Sequence, residues 1–301
     1  MYDMIIIGSG PAGLAAAIYA ARAELGFVVI EQSSVSGGQV LQTYEVDNYP
    51  GIPGVSGHDL SERMRAHCDK LGVRFINEEV RTVIKQDDIF RVTTWEKNVY
   101  EARTVIAATG ASHSTLDVPG EEAFAGMGVS YCATCDGAFF KDGTCAVVGG
   151  GDVAVEDAIY LSKLCRKVYL IHRRDQFRAA GTLVSEAQRK DNIEFVTNTV
   201  VRSIQGGSKV EKLEIENKET GQISELPCDG VFIAVGIRPA SGLFTELAVT
   251  NEGGYLIAGE TCETTCRGLY AAGDVRAKQL RQIITAAADG ANAVTSALKI
   301  L

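Results

Sequence analysis

The feature that most constrains this fold is a glycine turn between two apolar segments near the N-terminus. Residues 4–7 predict a buried strand, residues 8–13 follow with the sequence GSGPAG, and residues 14–22 predict an alanine-rich helix. A second apolar strand, residues 27–30, ends at Glu31. In such a unit, backbone N–H groups face a pyrophosphate and the acid accepts hydrogen bonds from a ribose. The sequence therefore predicts a dinucleotide site at this turn.

The same arrangement recurs in the middle of the chain. Residues 145–148 predict a strand, and residues 149–154 (GGGDVA) supply G-x-G-x-x-A. A helix over residues 155–164 and a strand over residues 168–171 complete this second unit. Two Rossmann-like units in one chain indicate two separate nucleotide sites.

The charged residue at the end of the second strand differs between the two units. Glu31 lies 23 residues after Gly8, whereas Arg173 lies 24 residues after Gly149. An acid suits a free ribose hydroxyl, and a basic segment attracts a 2′-phosphate. The segment HRRDQFR, residues 172–178, therefore predicts a preference for NADPH over NADH at the second turn.

Length and strand order indicate that one domain is inserted into the other. The 301 residues suit two domains. Apolar strands at residues 104–108 and 269–272 are assigned to the sheet of the first unit, and the strand at residues 231–235 is assigned to the sheet of the second. We predict an α/β protein with two Rossmann-like three-layer nucleotide-binding domains. The expected bounds are 1–113 with 242–301 for the first domain and 114–241 for the inserted one.

A pair of cysteines lies just before the second glycine turn. Cys132 and Cys135 have C-x-x-C spacing and are followed by Asp136. At a helix start this pair suits reversible dithiol exchange, because the helix N-terminus favours a thiolate. Half of a zinc site and a structural disulfide are the alternatives, but a zinc site needs a second half, and the C-x-x-x-C pair of Cys262 and Cys266 has no nearby histidine. We expect no metal, and Asp136 is either a helix N-cap or a proton-handling group.

Charge and hydropathy exclude several classes of protein. With 29 Lys and Arg against 38 Asp and Glu, the net charge of −9 argues against a nucleic-acid partner. Residues 4–21 carry no charge, but GSGPAG would break a spanning helix, so we expect no membrane segment. Eight cysteines at scattered spacings do not form a secreted disulfide framework, and we predict a cytoplasmic protein.

Taken together, the motifs resemble those of a known family. CATCDG, GSGPAG, GGQ, NYPG, GGGDVAVEDA, HRRDQFRA, AAGDV and RQIITA occur in the order found in the low-molecular-weight bacterial thioredoxin reductases, from Gly8 to about Ala293. The resemblance implies FAD in the larger domain, NADPH in the inserted one, a homodimer, and thioredoxin as the disulfide substrate. It also implies that Cys135 faces the flavin, that Cys132 attacks the partner's disulfide, and that Asp136 handles the proton.

The resemblance further implies which residues contact the two nucleotides. The FAD contacts fall on Gly8, Ser9, Gly10, Pro11, Ala12, Gly13, Glu31, Gly38, Gln39, Asn48, Asp274, Arg281, Gln282 and Ile283. The NADPH contacts fall on Gly151, Asp152, His172, Arg173, Arg174 and Arg178. The chain departs from the pattern at Val153, where many relatives have Ser or Thr.

Three other activities compete with this reading. The nearest is a flavoprotein disulfide reductase that serves a peroxidase or a glutaredoxin-like partner. It is disfavoured because such reductases resemble NADH users, whereas this chain has the arginine cluster of residues 172–178. A dithiol oxidase or ferredoxin-linked reductase is disfavoured because the chain keeps the basic segment. The third, a catalytically silent flavoprotein, is disfavoured by the intact C-x-x-C.

Overall fold

A computed structural model describes residues 1–43 and 45–301. The chain forms two compact units, the first made of Met1–Ser112 and Arg238–Leu301 and the inserted unit of His113–Ile237. Each unit contains its own parallel sheet. The predicted fold class, an α/β chain with Rossmann-like units, is confirmed.

The predicted N-terminal strand–turn–helix–strand unit is present. Strand β1 spans Tyr2–Ile7, helix α1 spans Pro11–Arg22 and strand β2 spans Phe27–Glu31. Helix α1 begins directly after the turn because Pro11 occupies its first position, where a missing N–H costs nothing. Strands β1 and β2 pair in parallel, which brings the turn and the end of β2 to the same edge of the sheet.

The remaining elements are numbered along the chain. Before the inserted unit come α2 (Gly57–Lys70), β3 (Phe75–Asn77), β4 (Val80–Gln86), β5 (Ile89–Thr94), β6 (Val99–Ala107) and β7 (Ala111–His113). Then follow β8 (Val129–Ser130), α3 (Ala133–Asp136), β9 (Thr144–Gly149), α4 (Asp152–Leu161), β10 (Lys167–Ile171), α5 (Gly181–Gln188), β11 (Ile193–Val196), β12 (Thr199–Gly206), β13 (Val210–Asn217), β14 (Ile223–Pro227), β15 (Gly230–Ala234) and β16 (Ile237–Pro239). The chain ends with β17 (Leu269–Ala271) and α6 (Ile283–Ala297).

The sheet of the first unit combines a parallel and an antiparallel part. Its strand order is β3-β2-β1-β6-β5-β4, and β17 pairs with the end of β6. Strands β1, β2, β3, β6 and β17 pair in parallel, whereas β4, β5 and the start of β6 form an antiparallel meander. The parallel part carries the first glycine turn at its carboxyl edge, where ligands bind in open α/β sheets.

The inserted unit contains a parallel and an antiparallel sheet. The parallel sheet has the order β11-β10-β9-β15-β8, and the antiparallel sheet has the order β12-β13-β14. Strand β9 lies at the centre of the parallel sheet, so the second glycine turn and the end of β8 share its carboxyl edge.

Both parallel sheets are covered on two faces. In β1, Ile5 and Ile7 pack in one apolar cluster, while Met4 and Ile6 pack in another on the opposite face. The residues of β9 divide between two clusters in the same way. Continuous apolar strands are expected when a parallel sheet is buried on both faces. In the described ranges, no helix has the length and apolar character needed to cross a bilayer.

The predicted bounds of two helices were wrong. The helix predicted over residues 14–22 already begins at Pro11 as α1, because proline suits the first helical position. The helix predicted over residues 155–164 instead spans Asp152–Leu161 as α4. It begins earlier because Gly151 is its N-cap and Asp152 places a negative charge in its first turn. It ends earlier because the side-chain amide of Asn192 donates to the carbonyl groups of Ser162 and Cys165 and holds the following residues in a turn.

Candidate active site

The first glycine turn connects β1 to α1 and leaves no room for two side chains. Gly8 has a φ of +101°, and a Cβ atom there would lie 2.4 Å from the carbonyl oxygen of Ala108. A Cβ atom on Gly13 would lie 1.9 Å from the carbonyl oxygen of Gly8. At Gly10 the nearest atom would be the Gly37 carbonyl oxygen, 3.9 Å away. Packing within the chain therefore requires glycine at positions 8 and 13, whereas Gly10 borders open space.

The acid predicted to face a ribose is fixed beside this turn. The carboxylate of Glu31 accepts hydrogen bonds from the backbone N–H of Ser9 at 2.6 Å and from its hydroxyl at 2.8 Å. Its other oxygen accepts from the N–H of Ser33 at 2.9 Å. Ser9 is fully buried. The carboxylate is thus held next to the N-terminus of α1, at the place where the fingerprint puts a ribose.

Two further glycine-containing segments lie against the first turn. Residues Gly38–Gln42 form a 3-10 turn, and a Cβ atom on Gly38 would lie 3.6 Å from the Cα of Gly10. Gln39 is half-buried in this turn. Gly273 begins another 3-10 turn, where a Cβ atom would lie 2.9 Å from the Cβ of Ala12 in α1. The GGQ and AAGD motifs therefore meet the first turn within one unit.

The start of α6 joins the same group of residues. Gln282 is the N-cap of α6, and it forms a capping box with Thr285. Its side-chain oxygen accepts a hydrogen bond of 2.9 Å from the Asn48 amide, and Ile283 is the first residue of the helix. Asn48 and Gln282, 234 residues apart in sequence, are thereby brought together.

Two polar atoms in this region have no protein partner. Within the described part of the chain, Asp274 Oδ1 and Arg281 Nε are buried and form no hydrogen bond. Burial raises the pKa of Asp274, whereas Lys278 and Arg281 act to lower it. Buried polar atoms without partners are rare in folded proteins, and they suit a ligand that has hydroxyl or phosphate groups. FAD has both, so the residues present fit the expected cofactor.

The second glycine turn is equally tight. A Cβ atom on Gly149 would lie 2.4 Å from the carbonyl oxygen of Ala234, and one on Gly150 would lie 2.1 Å from the ring of His172. At Gly151, the N-cap of α4, no atom lies within 4 Å of a Cβ position. The helix start therefore has an open approach. The carboxylate of Asp152 accepts a hydrogen bond of 2.8 Å from the backbone N–H of Ala180, two residues after the basic segment.

The basic segment is tied to this turn by its backbone. The N–H of Arg178 donates to the carbonyl oxygen of Gly150 at 2.7 Å. His172 is buried and stacks on Phe177, with ring centroids 4.9 Å apart. Burial lowers the pKa of His172, and the three nearby arginines add to that effect. The arginines at positions 173, 174 and 178 are exposed, so their guanidinium groups are available to an anion beside the turn.

The C-x-x-C pair forms a disulfide at the start of a short helix. Cys132 and Cys135 are bonded to each other, with their Cα atoms 5.3 Å apart. Cys132 is the N-cap of α3, and its carbonyl oxygen accepts hydrogen bonds from the N–H groups of Cys135 and Asp136. The pair therefore lies at a helix N-terminus, as the sequence predicts. Such a position favours the thiolate form after reduction.

Asp136 is the last residue of α3 and is not a side-chain cap. Its Oδ2 accepts a 2.6 Å hydrogen bond from the hydroxyl of Ser130, and Oδ1 is buried without a partner among the described residues. Burial raises the pKa of the Asp136 carboxyl, while the hydrogen bond from Ser130 acts in the opposite direction. A carboxyl with a raised pKa next to a dithiol is suited to proton transfer.

Sequence reasoning missed two contacts next to the disulfide. Ser130 precedes Cys132 by two residues, and it matches no motif that would have singled it out. The hydroxyl of Tyr131 donates to the buried carboxylate of Glu121 at 2.8 Å, and its ring stacks on His113. Glu121 also accepts hydrogen bonds from two backbone N–H groups. The only signal in the sequence was the position of Tyr131 next to a cysteine.

The other cysteines are free thiols. Cys262 is buried and Cys266 is half-buried, and neither is in a disulfide. In the described ranges, one group of side chains lies close enough to share a metal ion: His58, Asp59 and Glu62, all exposed on α2. Exposed groups of this kind are common on helix surfaces, and they lie apart in sequence from the glycine turns and the disulfide.

Comparison with known proteins gives consistent matches. Residues 2–290 match the family described as pyridine nucleotide-disulphide oxidoreductase. Thioredoxin reductase from Listeria innocua is 45% identical over 300 residues, which covers 99% of this chain and 93% of the relative. Thioredoxin reductase from Bacillus subtilis is 43% identical over 297 residues, with 98% and 93% covered. The crystal structure of thioredoxin reductase from Streptococcus pyogenes matches with a TM-score of 0.95 and 46% identity, and covers 100% of this chain and 99% of that one.

Proposed function

The chain belongs to the thioredoxin reductases of the pyridine nucleotide-disulphide oxidoreductase family, and we propose that its Cys132–Cys135 disulfide passes the electrons of NADPH, received through FAD, to thioredoxin. The observation that carries the proposal is the disulfide itself. It lies at a helix N-terminus, beside a carboxyl with a raised pKa, in the unit that also contains the basic segment. The helix N-terminus favours the thiolate that reversible thiol–disulfide exchange requires, and the carboxyl is suited to move its proton.

The residues of the first unit are proposed to hold FAD. When bound, FAD accepts a hydride from NADPH and supplies an electron pair to the disulfide. Glu31 is positioned to accept ribose hydroxyl groups, and the open space at Gly10 admits a pyrophosphate at the start of α1. The unpartnered atoms of Asp274 and Arg281 are assigned to the remaining polar groups of the cofactor. The remaining candidate residues of the FAD site include Gly38, Gln39, Asn48, Gln282 and Ile283.

The residues of the second glycine turn are proposed to hold NADPH. The N-terminus of α4 has an open approach at Gly151, which suits a pyrophosphate. Arg173, Arg174 and Arg178 supply positive charge for the 2′-phosphate, which NADH lacks. His172 and Asp152 fix the segment against the turn. The proposal is therefore specific for the phosphorylated nucleotide.

The exchange step can be written with its bonds and protons. Reduction of the disulfide adds two electrons and two protons and gives two thiols. The Cys132 thiolate attacks the disulfide of thioredoxin, forms a mixed disulfide and releases one partner thiolate. Cys135 then attacks Cys132, re-forms the original S–S bond and releases the second partner thiolate. Asp136 takes a proton from an attacking thiol and returns it to a leaving thiolate.

We extend the proposal to the assembly and location of the enzyme. The family resemblance supports a homodimer. The six free cysteines, five of them buried, suit a reducing compartment such as the cytoplasm. Light scattering on the purified holoenzyme tests the dimer, and a mass of one chain would contradict it.

The first test is an anaerobic titration of the holoenzyme. NADPH should bleach the flavin absorbance rapidly and NADH slowly, and oxidised thioredoxin should then restore the absorbance. Absence of thioredoxin reduction, or faster reduction of a glutaredoxin-like or peroxidase disulfide, would contradict the proposed substrate.

A second test separates the two half-reactions. Cys135→Ser should keep NADPH-dependent flavin reduction and lose thioredoxin reduction, because the exchange needs both thiols. Cys266→Ser removes a free, half-buried thiol of the first unit and should retain both activities. Thioredoxin turnover by Cys135→Ser would overturn the role of the disulfide.

A further inference from the structure

Ser130 connects the two groups on which the proposed exchange depends. It is the last residue of β8, and only 5% of its surface is exposed. Its hydroxyl donates to Asp136 Oδ2 at 2.6 Å and accepts from the N–H of Cys132 at 3.1 Å. The carbonyl oxygen of Cys132 lies farther away, at 3.4 Å. A hydroxyl has one proton, and that proton goes to the nearer and more basic carboxylate.

We propose that Ser130 is a positioning residue that holds the Asp136 carboxylate and the backbone of Cys132 in a fixed relation, and so sets the protonation state in which Asp136 serves the exchange. This inference rests on the proposed function, because it assumes that Asp136 moves the proton. Ser130 acts through Asp136 and Cys132, and it neither accepts electrons nor attacks a disulfide.

The direction of the effect follows from the two influences on Asp136. Burial favours the neutral carboxyl and raises its pKa, whereas the hydroxyl of Ser130 stabilises the charged form and opposes that rise. Removal of the hydroxyl leaves burial alone, so the pKa of Asp136 moves to higher pH. It also removes the hydroxyl that links Oδ2 to the Cys132 N–H.

Other titratable groups lie near α3. Helix α4 packs against α3 and contributes Asp152, Glu156, Asp157 and Tyr160. Glu121 and Tyr131 lie near β8 in sequence, and His113, the last residue of β7, stacks on Tyr131. Burial and the hydrogen bond from Ser130 are the causes of the shift in the pKa of Asp136. Asp157 is an alternative source of a pH-dependent step near neutral pH, because burial and Glu156 raise its pKa to about 7.

The test compares pH profiles of thioredoxin reduction by the full-length holoenzyme. If one limb of the pH profile, its acidic or its basic side, disappears in Asp136→Asn, that limb reports the titration of Asp136. In Ser130→Ala that limb should move to higher pH by about one unit, whichever side of the profile it forms. Ser130→Thr keeps the hydroxyl and should restore the wild-type limb. Asp157→Asn should leave the limb in place, and Ser162→Ala, which removes a hydroxyl from the end of α4, should do the same.

A second readout separates folding from positioning. NADPH-dependent flavin reduction requires both nucleotide sites but not the exchange, so it should stay at the wild-type rate in Ser130→Ala. If Asp136→Asn abolishes a limb and Ser130→Ala leaves that limb unmoved, the proposal for Ser130 is overturned and the proposed function stands. A wild-type profile in Asp136→Asn overturns the role of Asp136 and the proposal with it. If the same limb moves in Asp157→Asn as it does in Ser130→Ala, the pH shift is an effect of Asp157 in α4, and the proposal is overturned.

Discussion

The carboxylate of Glu31 accepts two hydrogen bonds from Ser9, one from its hydroxyl at 2.8 Å and one from its backbone N–H at 2.6 Å. The end of β2 and the first glycine turn therefore form one rigid unit. The acid is held in the orientation that would face a ribose before any cofactor binds, and such preorganisation reduces the entropy cost of binding.

We expect Glu31→Ala to weaken FAD binding while the chain remains folded. Loss of a charged acceptor costs about 1.5–3 kcal/mol, so the dissociation constant should rise about 10–100-fold. Flavin retained on purification and titration of the stripped protein with FAD both measure this effect. Glu62→Ala removes an exposed carboxylate from α2 of the same unit and should bind FAD like the wild type. Equal affinity in the two variants would exclude a ribose contact at Glu31.

Gly10 and Gly13, two of the three glycines of the first turn, should respond differently to alanine. A Cβ atom on Gly13 would lie 1.9 Å from the Gly8 carbonyl oxygen, so Gly13→Ala must displace α1. We expect a loss of about 3 kcal/mol or more in unfolding free energy. A Cβ atom on Gly10 has no neighbour closer than 3.9 Å, so Gly10→Ala should unfold like the wild type and lose FAD affinity alone.

Urea unfolding of the cofactor-free chains and FAD titration separate these two effects. The stability difference must appear without FAD, since it comes from packing within the chain. If Gly10→Ala binds FAD normally, the pyrophosphate does not approach the turn at this point.

The glycine turns and the fold class could be predicted because both depend on local patterns. Apolar segments with glycines at fixed spacing determine a strand, a turn and a helix start within about 30 residues. The antiparallel sheet β12-β13-β14 and the meander β4-β5 were not predicted, because their pairing depends on contacts with the rest of each unit. The end of α4 was misplaced for the same reason, since Asn192 lies 30 residues beyond Ser162, whose carbonyl group it holds.

The part of the candidate site that could not be predicted consists of long-range polar contacts. Ser130 shares its hydroxyl with a cysteine and a carboxylate, but a serine in a short strand has no distinguishing pattern. Asp289 lies within a helix that reads as alanine-rich, and nothing in its spacing indicates that two cations reach its carboxylate. Contacts of this type depend on how distant segments pack.

The basic segment should determine the choice of nicotinamide nucleotide. Arg173 and Arg174 lie two and three residues after the end of β10, and both are exposed. Replacing both with alanine should lower kcat/KM for NADPH about 10–100-fold, which corresponds to the loss of charge-assisted contacts worth about 1.5–3 kcal/mol. The value for NADH should change little, because NADH has no 2′-phosphate.

Initial rates of flavin reduction with each nucleotide measure this preference. Arg189→Ala, at the end of α5, removes an exposed arginine outside the segment and serves as the control. A parallel fall in kcat/KM for both nucleotides would indicate that the two arginines support folding instead of recognising phosphate.

The carboxylate of Asp289 in α6 should be the most sensitive buried charge of the first unit. It is 4% exposed, and it accepts hydrogen bonds from Arg276, from Lys278 and from the N–H of Gly273, which begins the turn containing Asp274. Asp289→Asn removes the negative charge and leaves Arg276 and Lys278, whose side chains are 13% and 7% exposed, without the carboxylate that they share. We expect a loss of about 3–5 kcal/mol in unfolding free energy, together with weaker retention of FAD.

The double variant Asp289→Asn with Lys278→Met tests whether the loss comes from the uncompensated cations. Arg276 keeps two backbone carbonyl partners when Asp289 is neutral, whereas Lys278 keeps a hydrogen bond to the hydroxyl of Thr285 at 3.3 Å. Lys278 is therefore the cation that loses most, and its removal should recover a large part of the lost stability in urea unfolding. If the double variant is as unstable as the sum of the two single variants, the loss arises from packing of α6, and the charge network is not its cause.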